Sequence, residues 1–157
     1  MPSSSASERD LRRIASGLAA VLPALHRGLD RRLARDFPHS RLPEGQLALL
    51  RLLAERDGLT VGQAAEALLM KPNNVSVSAS RLADQGLLER LEDPADKRVA
   101  RLHLTTEARS RIAVVGDLMD GYLIEGLRVL SEGEASALGS ALSALEALAR
   151  QVHPAAG

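Results

Sequence analysis

Residues 60–105 read TVGQAAEALLMKPNNVSVSASRLADQGLLERLEDPADKRVARLHLT. Thr60, with Gln63 three places on, is a capping-box pattern that opens a short helix running to Leu69. A tight connection at 70–72 leads into a second helix over 73–85, which Gly86 stops. Beyond the glycine the apolar period falls to two. Residues 87–92 form one strand and 99–105 another, with Ala100, Leu102 and Leu104 alternating against Arg101 and His103. Asp93-Pro94 opens the turn between them, because proline supplies the φ angle of the second turn position. Helix, helix, glycine stop and charged hairpin, in that order, are the layout of a winged helix-turn-helix, which lays one helix in a major groove and a β-wing beside it.

Working outward, residues 7–35 carry Leu11, Ile14, Leu18, Leu22, Leu25, Leu29 and Leu33 at three- and four-residue steps, opened by a Ser7 cap with Asp10 behind it. Pro23 interrupts this pattern and is expected to kink the helix near Ala19 or split it in two. FPHSRLP at 37–43 is a connector, and a second helix follows with Pro43 near its start and Gly58 past its end. On the far side, Thr105 caps a helix running to about Val129. Ser131 and Glu134 form a capping box for a last helix to about Gln151, striped by Leu138, Leu142, Leu145 and Leu148. The fold class is mostly α with a small β-wing, in one compact chain. Residues 1–41 are read as an N-terminal dimerisation helix and connector, 42–106 as the DNA-binding lobe, and 107–157 as C-terminal dimerisation helices.

Composition narrows the function. With one Tyr, one Phe and no Trp in 157 residues, the core is built from Leu, Ala, Val and Ile. No cysteine is present, which removes disulfides, thiolate metal sites and thiol redox sensing. No run approaches the ~18 apolar residues of a membrane span, and the first ten residues lack a signal-peptide apolar region, so a cytoplasmic protein with no membrane partner is expected. The chain shows no Gly-x-Ser-x-Gly and no phosphate-loop pattern, and catalysis is not expected.

Net charge is zero, yet the charges are segregated: residues 1–41 hold eight basic and four acidic groups, and 107–157 hold four and seven. Phosphate binding depends on the local field and not on the total. Residues 71–106, with six basic and five acidic groups, predict a modest non-specific component.

On the second helix of the central stretch, Val75, Ala79 and Leu82 share one face and should pack inward. Asn73, Asn74, Ser76, Val77, Ser80 and Arg81 then remain outside. Asparagine can pair bidentately with adenine, serine can bond to base or phosphate, and Val77 suits a thymine methyl. Lys71 and the amides near Pro72 to Asn74 form an anion anchor at the positive end of the helix, where Pro72 stiffens the entry. Lys97 and Arg98 stand at the hairpin tip, and Arg101 on the returning strand completes the basic set of the wing.

The passages SRLADQGLLERLEDPADKR and DKRVARLHLTTEA, with helices on both sides, resemble the MarR (multiple antibiotic resistance regulator) family from Leu11 to Gln151. Asp96, Arg98, Leu102, Leu104 and Thr105 meet its Asp-x-Arg … Leu-x-Leu-Thr pattern. Ala108 stands where the family usually has glycine, which strengthens the following helix by roughly 0.8–1 kcal/mol. The resemblance implies a transcriptional regulator in which Arg98 enters a minor groove. Asp96 would orient Arg98 or pair with Arg81 of the recognition helix.

The apolar terminal helices suggest a two-fold homodimer on double-stranded DNA, reading a pseudo-palindromic operator with half-sites about one helical turn apart. The family also implies a small phenolic or other anionic effector between the dimerisation helices and the DNA-binding lobe. His26, Arg27, Leu47, Arg51, Met119 and Tyr122 are the candidates to border it. No cofactor is required. The four histidines, His26, His39, His103 and His153, lack zinc-site spacing, and His39 with Glu44 is the place to look for a metal. The expected function is a ligand-responsive repressor. The alternatives are a winged helix used for protein contacts without DNA, and a metal-responsive regulator of the same fold.

Overall fold

A computed structural model describes residues 8–152. The Ser7 cap and His153 therefore lie outside the described residues. Six helices and three strands follow in order: α1 (Glu8–Asp36), α2 (Glu44–Glu55), β1 (Leu59–Thr60), α3 (Val61–Leu68), α4 (Pro72–Asp84), β2 (Leu88–Glu92), β3 (Ala100–Leu104), α5 (Thr106–Leu127) and α6 (Glu132–Val152). The mostly helical class with a small antiparallel sheet is the one read from the sequence.

Three local outcomes refine that reading. First, α1 runs unbroken through Pro23, so the expected division into two helices does not occur. A proline forfeits one backbone hydrogen bond, and the flanking Ala, Leu and Arg residues are strong enough helix formers to carry the helix past it. Second, Leu59 and Thr60 form a strand that periodicity could not reveal, since two residues carry no period. They pair with Leu102 and Arg101, which makes β3 the centre of a sheet ordered β1-β3-β2. Third, Thr60 serves twice, as the end of β1 and as the cap of α3. Its Oγ1 accepts the Gln63 amide at 3.2 Å while Gln63 Oε1 accepts the Thr60 amide at 3.0 Å.

The core lies inside the central lobe. Leu49 and Leu53 of α2, Val75, Ala79 and Leu82 of α4, and Leu102 of β3 are fully buried, with Leu87, Leu88, Leu104 and Ala108 closing the cluster. Aliphatic contacts alone fill this space. By contrast, α1 and α6 bury none of their described residues. Leu11, Ile14, Leu22 and Leu25 on α1, and Leu138, Leu142 and Leu148 on α6, stay open to solvent. No described helix is long and apolar enough to cross a membrane.

Candidate nucleic-acid interface

The entry to α4 is built by a turn that no glycine relieves. Leu69 ends α3 in the left-handed region, at φ 52° and ψ 39°, with its side chain exposed. Pro72 then takes the first position of α4, where a missing amide costs nothing. The Asn74 and Val75 amides turn back onto the Lys71 carbonyl, at 2.9 and 3.3 Å. Of the amides expected to face phosphate, only that of Asn73 is uncommitted among the described residues.

Along α4 the inward and outward faces fall where the spacing predicts. Val75, Ala79 and Leu82 are buried; Lys71, Pro72, Asn73, Asn74, Val77, Ser80 and Arg81 are exposed, and Ser76 is half-buried. Val77 is an apolar side chain left open on an otherwise polar surface. Gly86, at φ 70°, ends the segment and releases the chain into β2.

The wing tip is ordered by two aspartates. Asp93, nearly buried, accepts the amides of Ala95 (2.7 Å) and Asp96 (3.4 Å) through Oδ1 and the guanidinium of Arg101 through Oδ2. The Ala95 amide and then the Arg101 guanidinium hold its carboxyl below the usual carboxylate range. Asp96 takes the Arg98 side chain at 3.1 and 3.3 Å and the Arg98 amide at 3.0 Å. Those Arg98 contacts also keep Asp96 charged to lower pH than an ordinary carboxyl. The Arg98 side chain remains 91% exposed, its Nε and Nη2 held by Asp96 and its Nη1 open to solvent. Lys97 is exposed beside it.

Two expectations, a pair for Asp96 and an outward role for Arg101, resolve differently. Both carboxylate oxygens of Asp96 serve Arg98, so the alternative pair with Arg81 is not formed. Arg101 points inward: besides Asp93 it donates to the Gly58 carbonyl at 2.8 Å, bracing the wing against the turn before β1. A guanidinium used twice within the protein is not available as an outward DNA contact in this conformation.

Three contributors are not among the expected interface residues, although the sequence places Asp93 in the turn. Arg90 of β2 donates through Nη2 to the Ser76 carbonyl (3.1 Å) and to Ser80 Oγ (3.0 Å), tying wing to helix. Asp57 accepts the Leu104 amide (3.0 Å), His103 Nδ1 (3.0 Å) and Arg109 (2.8 Å). Partial burial pushes the Asp57 carboxyl up, and the Leu104 amide with His103 and Arg109 outweighs it to leave the group below its ordinary value. Asp93 is the third. Its bond to the amide two residues on is an Asx turn, and the Asp-Pro pair was its visible signal. Nothing local announces Arg90 or Asp57, whose partners lie 10 to 52 residues away.

A second feature is a cavity. It measures about 500 Å³ and opens between α1, the 37–43 connector, α2 and α5, and its floor reaches Leu87 and Ala108. His26, Leu47 and Arg51 line it, as do His39 and Glu44. Several charged groups of its lining are paired: Asp30 with His26 (3.4 Å) and Arg41 (3.6 Å), and Arg51 with Glu44 (3.9 Å). Arg27, Met119 and Tyr122 are not in the lining. Tyr122 is turned to α1, its hydroxyl on Asp36 at 2.8 Å and its ring 4.1 Å beneath the Arg32 guanidinium. His39 packs edge-on to Phe37, 5.2 Å between ring centroids. Among the described residues no three His, Cys, Asp or Glu side chains gather as a metal site.

Comparison with known proteins bears on this arrangement. Residues 41–99 match the model of the MarR family. The chain is 29% identical over 92 residues to the HTH-type transcriptional repressor MdtR of Bacillus subtilis, over 59% of this chain and 59% of that protein. The chain thus spans about three fifths of the length of the first curated relatives it matches. Among solved structures, a MarR family protein from Bacillus stearothermophilus superposes with a TM-score of 0.74 at 20% identity, over 93% of this chain and 99% of that one. FabT of Streptococcus pneumoniae, solved in complex with DNA, superposes with a TM-score of 0.66 at 19% identity, over 90% and 99%.

Proposed function

We propose that this chain, whose residues 41–99 match the MarR family model, is a DNA-binding transcriptional regulator of that family, a repressor that occupies a pseudo-palindromic operator as a homodimer and answers to a small molecule. One observation carries the DNA-binding reading. Arg98 is held at the wing tip by Asp96 with its Nη1 open to solvent, beside a helix whose exposed face offers Asn73, Asn74, Val77 and Arg81. A narrow minor groove concentrates negative potential and suits such a guanidinium, while the amides and the valine suit base edges in a major groove. A fold neighbour solved with DNA and a relative named as a repressor support the same reading.

The exposed apolar residues of α1 and α6 support the homodimer, because a second copy would remove them from water. The cavity supports an effector: its apolar walls meet the wing base at Leu87 and Ala108, so an occupant would press on the element that carries the reading helix and wing.

The test is a gel-shift titration of the wild type and Arg98→Ala on DNA from upstream of the chain's own coding sequence, over a salt series. Loss of affinity in the variant and a steep salt dependence in both are expected. Equal binding by the two proteins would remove the wing from the interface and favour a module that contacts protein.

A further inference from the structure

We propose that Arg90 is a phosphate contact at the seam between recognition helix and wing, an inference that rests on the DNA-binding reading above. One nitrogen of its guanidinium is fixed: Nη2 donates to the Ser76 carbonyl at 3.1 Å and to Ser80 Oγ at 3.0 Å. Ser80 Oγ in turn donates to the Ser76 carbonyl at 3.0 Å, which closes a triangle on the flank of α4. The other two nitrogens are not used. Among the described residues Nε and Nη1 of Arg90 have no partner, no carboxylate pairs with the group, and the residue is exposed.

Position decides what those free nitrogens meet. A helix in a major groove and a wing in the neighbouring minor groove straddle one sugar-phosphate strand. The side chain that spans α4 and β2 lies over that strand. Its cation is already held in place, so binding phosphate orders little that is not ordered beforehand, and the free N–H groups on Nη1 and Nε can each donate to a phosphate oxygen. The same contacts change the role of Ser80. Its hydroxyl donates to one partner and accepts from another, so it acts as a holder of Arg90 and not as a reader of bases.

The experiment uses a 30-base-pair duplex enriched by the full wild-type chain from a randomised DNA pool. Affinity is measured across a salt series for the wild type, Arg90→Gln, Arg90→Lys and Ser80→Ala, each checked for its thermal unfolding midpoint. Arg90→Gln removes the charge and, being shorter, the brace to Ser76, whereas Ser80→Ala loosens the brace and keeps the charge, so the two effects are separated. The slope of log affinity against log salt should fall by about 1 in Arg90→Gln, with affinity lowered about tenfold near 0.15 M salt. Arg90→Lys and Ser80→Ala should keep the wild-type slope. An unchanged slope in Arg90→Gln would overturn the contact and leave Arg90 as a brace alone. Failure of the wild type to enrich any duplex would overturn the DNA-binding reading itself, and the contact with it.

Discussion

The hydroxyl of Tyr122 lies 2.8 Å from Oδ2 of Asp36, joining α5 to the last residue of α1. Arg35, the neighbour of Asp36, holds the same carboxylate most strongly, and the two contacts bring its pKa down to about 2 from an ordinary 3.8. A carboxyl depressed in the folded state contributes stability that is full above its ordinary value and is lost as pH falls through the folded one. This latch therefore holds above about pH 4 and is released between about pH 4 and 2. Tyr122→Phe removes one of the two bonds, so the Asp36 midpoint in a carbon-detected NMR titration should rise toward 3.8. An unchanged midpoint would show that the hydroxyl does not hold the carboxylate in solution.

Leu69 occupies the left-handed region without being glycine or asparagine, and its side chain is 70% exposed. That conformation costs a β-carbon residue about 1–2 kcal/mol, part of which returns through the freer unfolded chain when glycine is introduced. Leu69→Gly should therefore stabilise the protein by about 0.5–1 kcal/mol, seen as a higher urea midpoint. A lower midpoint would mean that contacts of the leucine outweigh the strain.

Thr105 Oγ1 both accepts the Ala108 amide at 3.1 Å and donates to the Gly86 carbonyl at 2.7 Å. One hydroxyl thus caps α5 and fastens its start to the end of the α4 segment. Thr105→Val keeps the shape and loses both bonds, which should cost about 1–2 kcal/mol in denaturant unfolding. Amide exchange at Ala108 should accelerate as well, and a protected Ala108 would deny the cap.

Leu142 is 58% exposed in the middle of a helix with no buried residue. Sedimentation of the wild type at micromolar concentration should show a dimer, and Leu142→Asp should shift it to monomer with the helical circular dichroism of the central lobe retained. A wild type that sediments as a monomer would end the homodimer proposal.

Much of this architecture was legible in residues 60–105. A capping box, a proline entry, a glycine stop and a change of period are written in neighbouring residues, because caps and amphipathic faces are set by chemistry within one or two helical turns. The inward set Val75, Ala79 and Leu82 and the outward set Asn73, Asn74, Val77 and Arg81 follow from helical spacing alone.

What only the tertiary structure decided are the partners of the charged groups. Arg90, Arg98 and Arg101 all lie on one short hairpin, yet Arg90 spans helix and wing, Arg98 stands exposed at the tip on Asp96, and Arg101 is drawn in to Asp93 and the Gly58 carbonyl. Tyr122 was drawn to Asp36, 86 residues away, and not to the cavity. Local periodicity says which face a residue occupies. A long, flexible guanidinium or a phenol chooses its acceptor from whatever the packed chain brings near, and that neighbourhood exists only after folding.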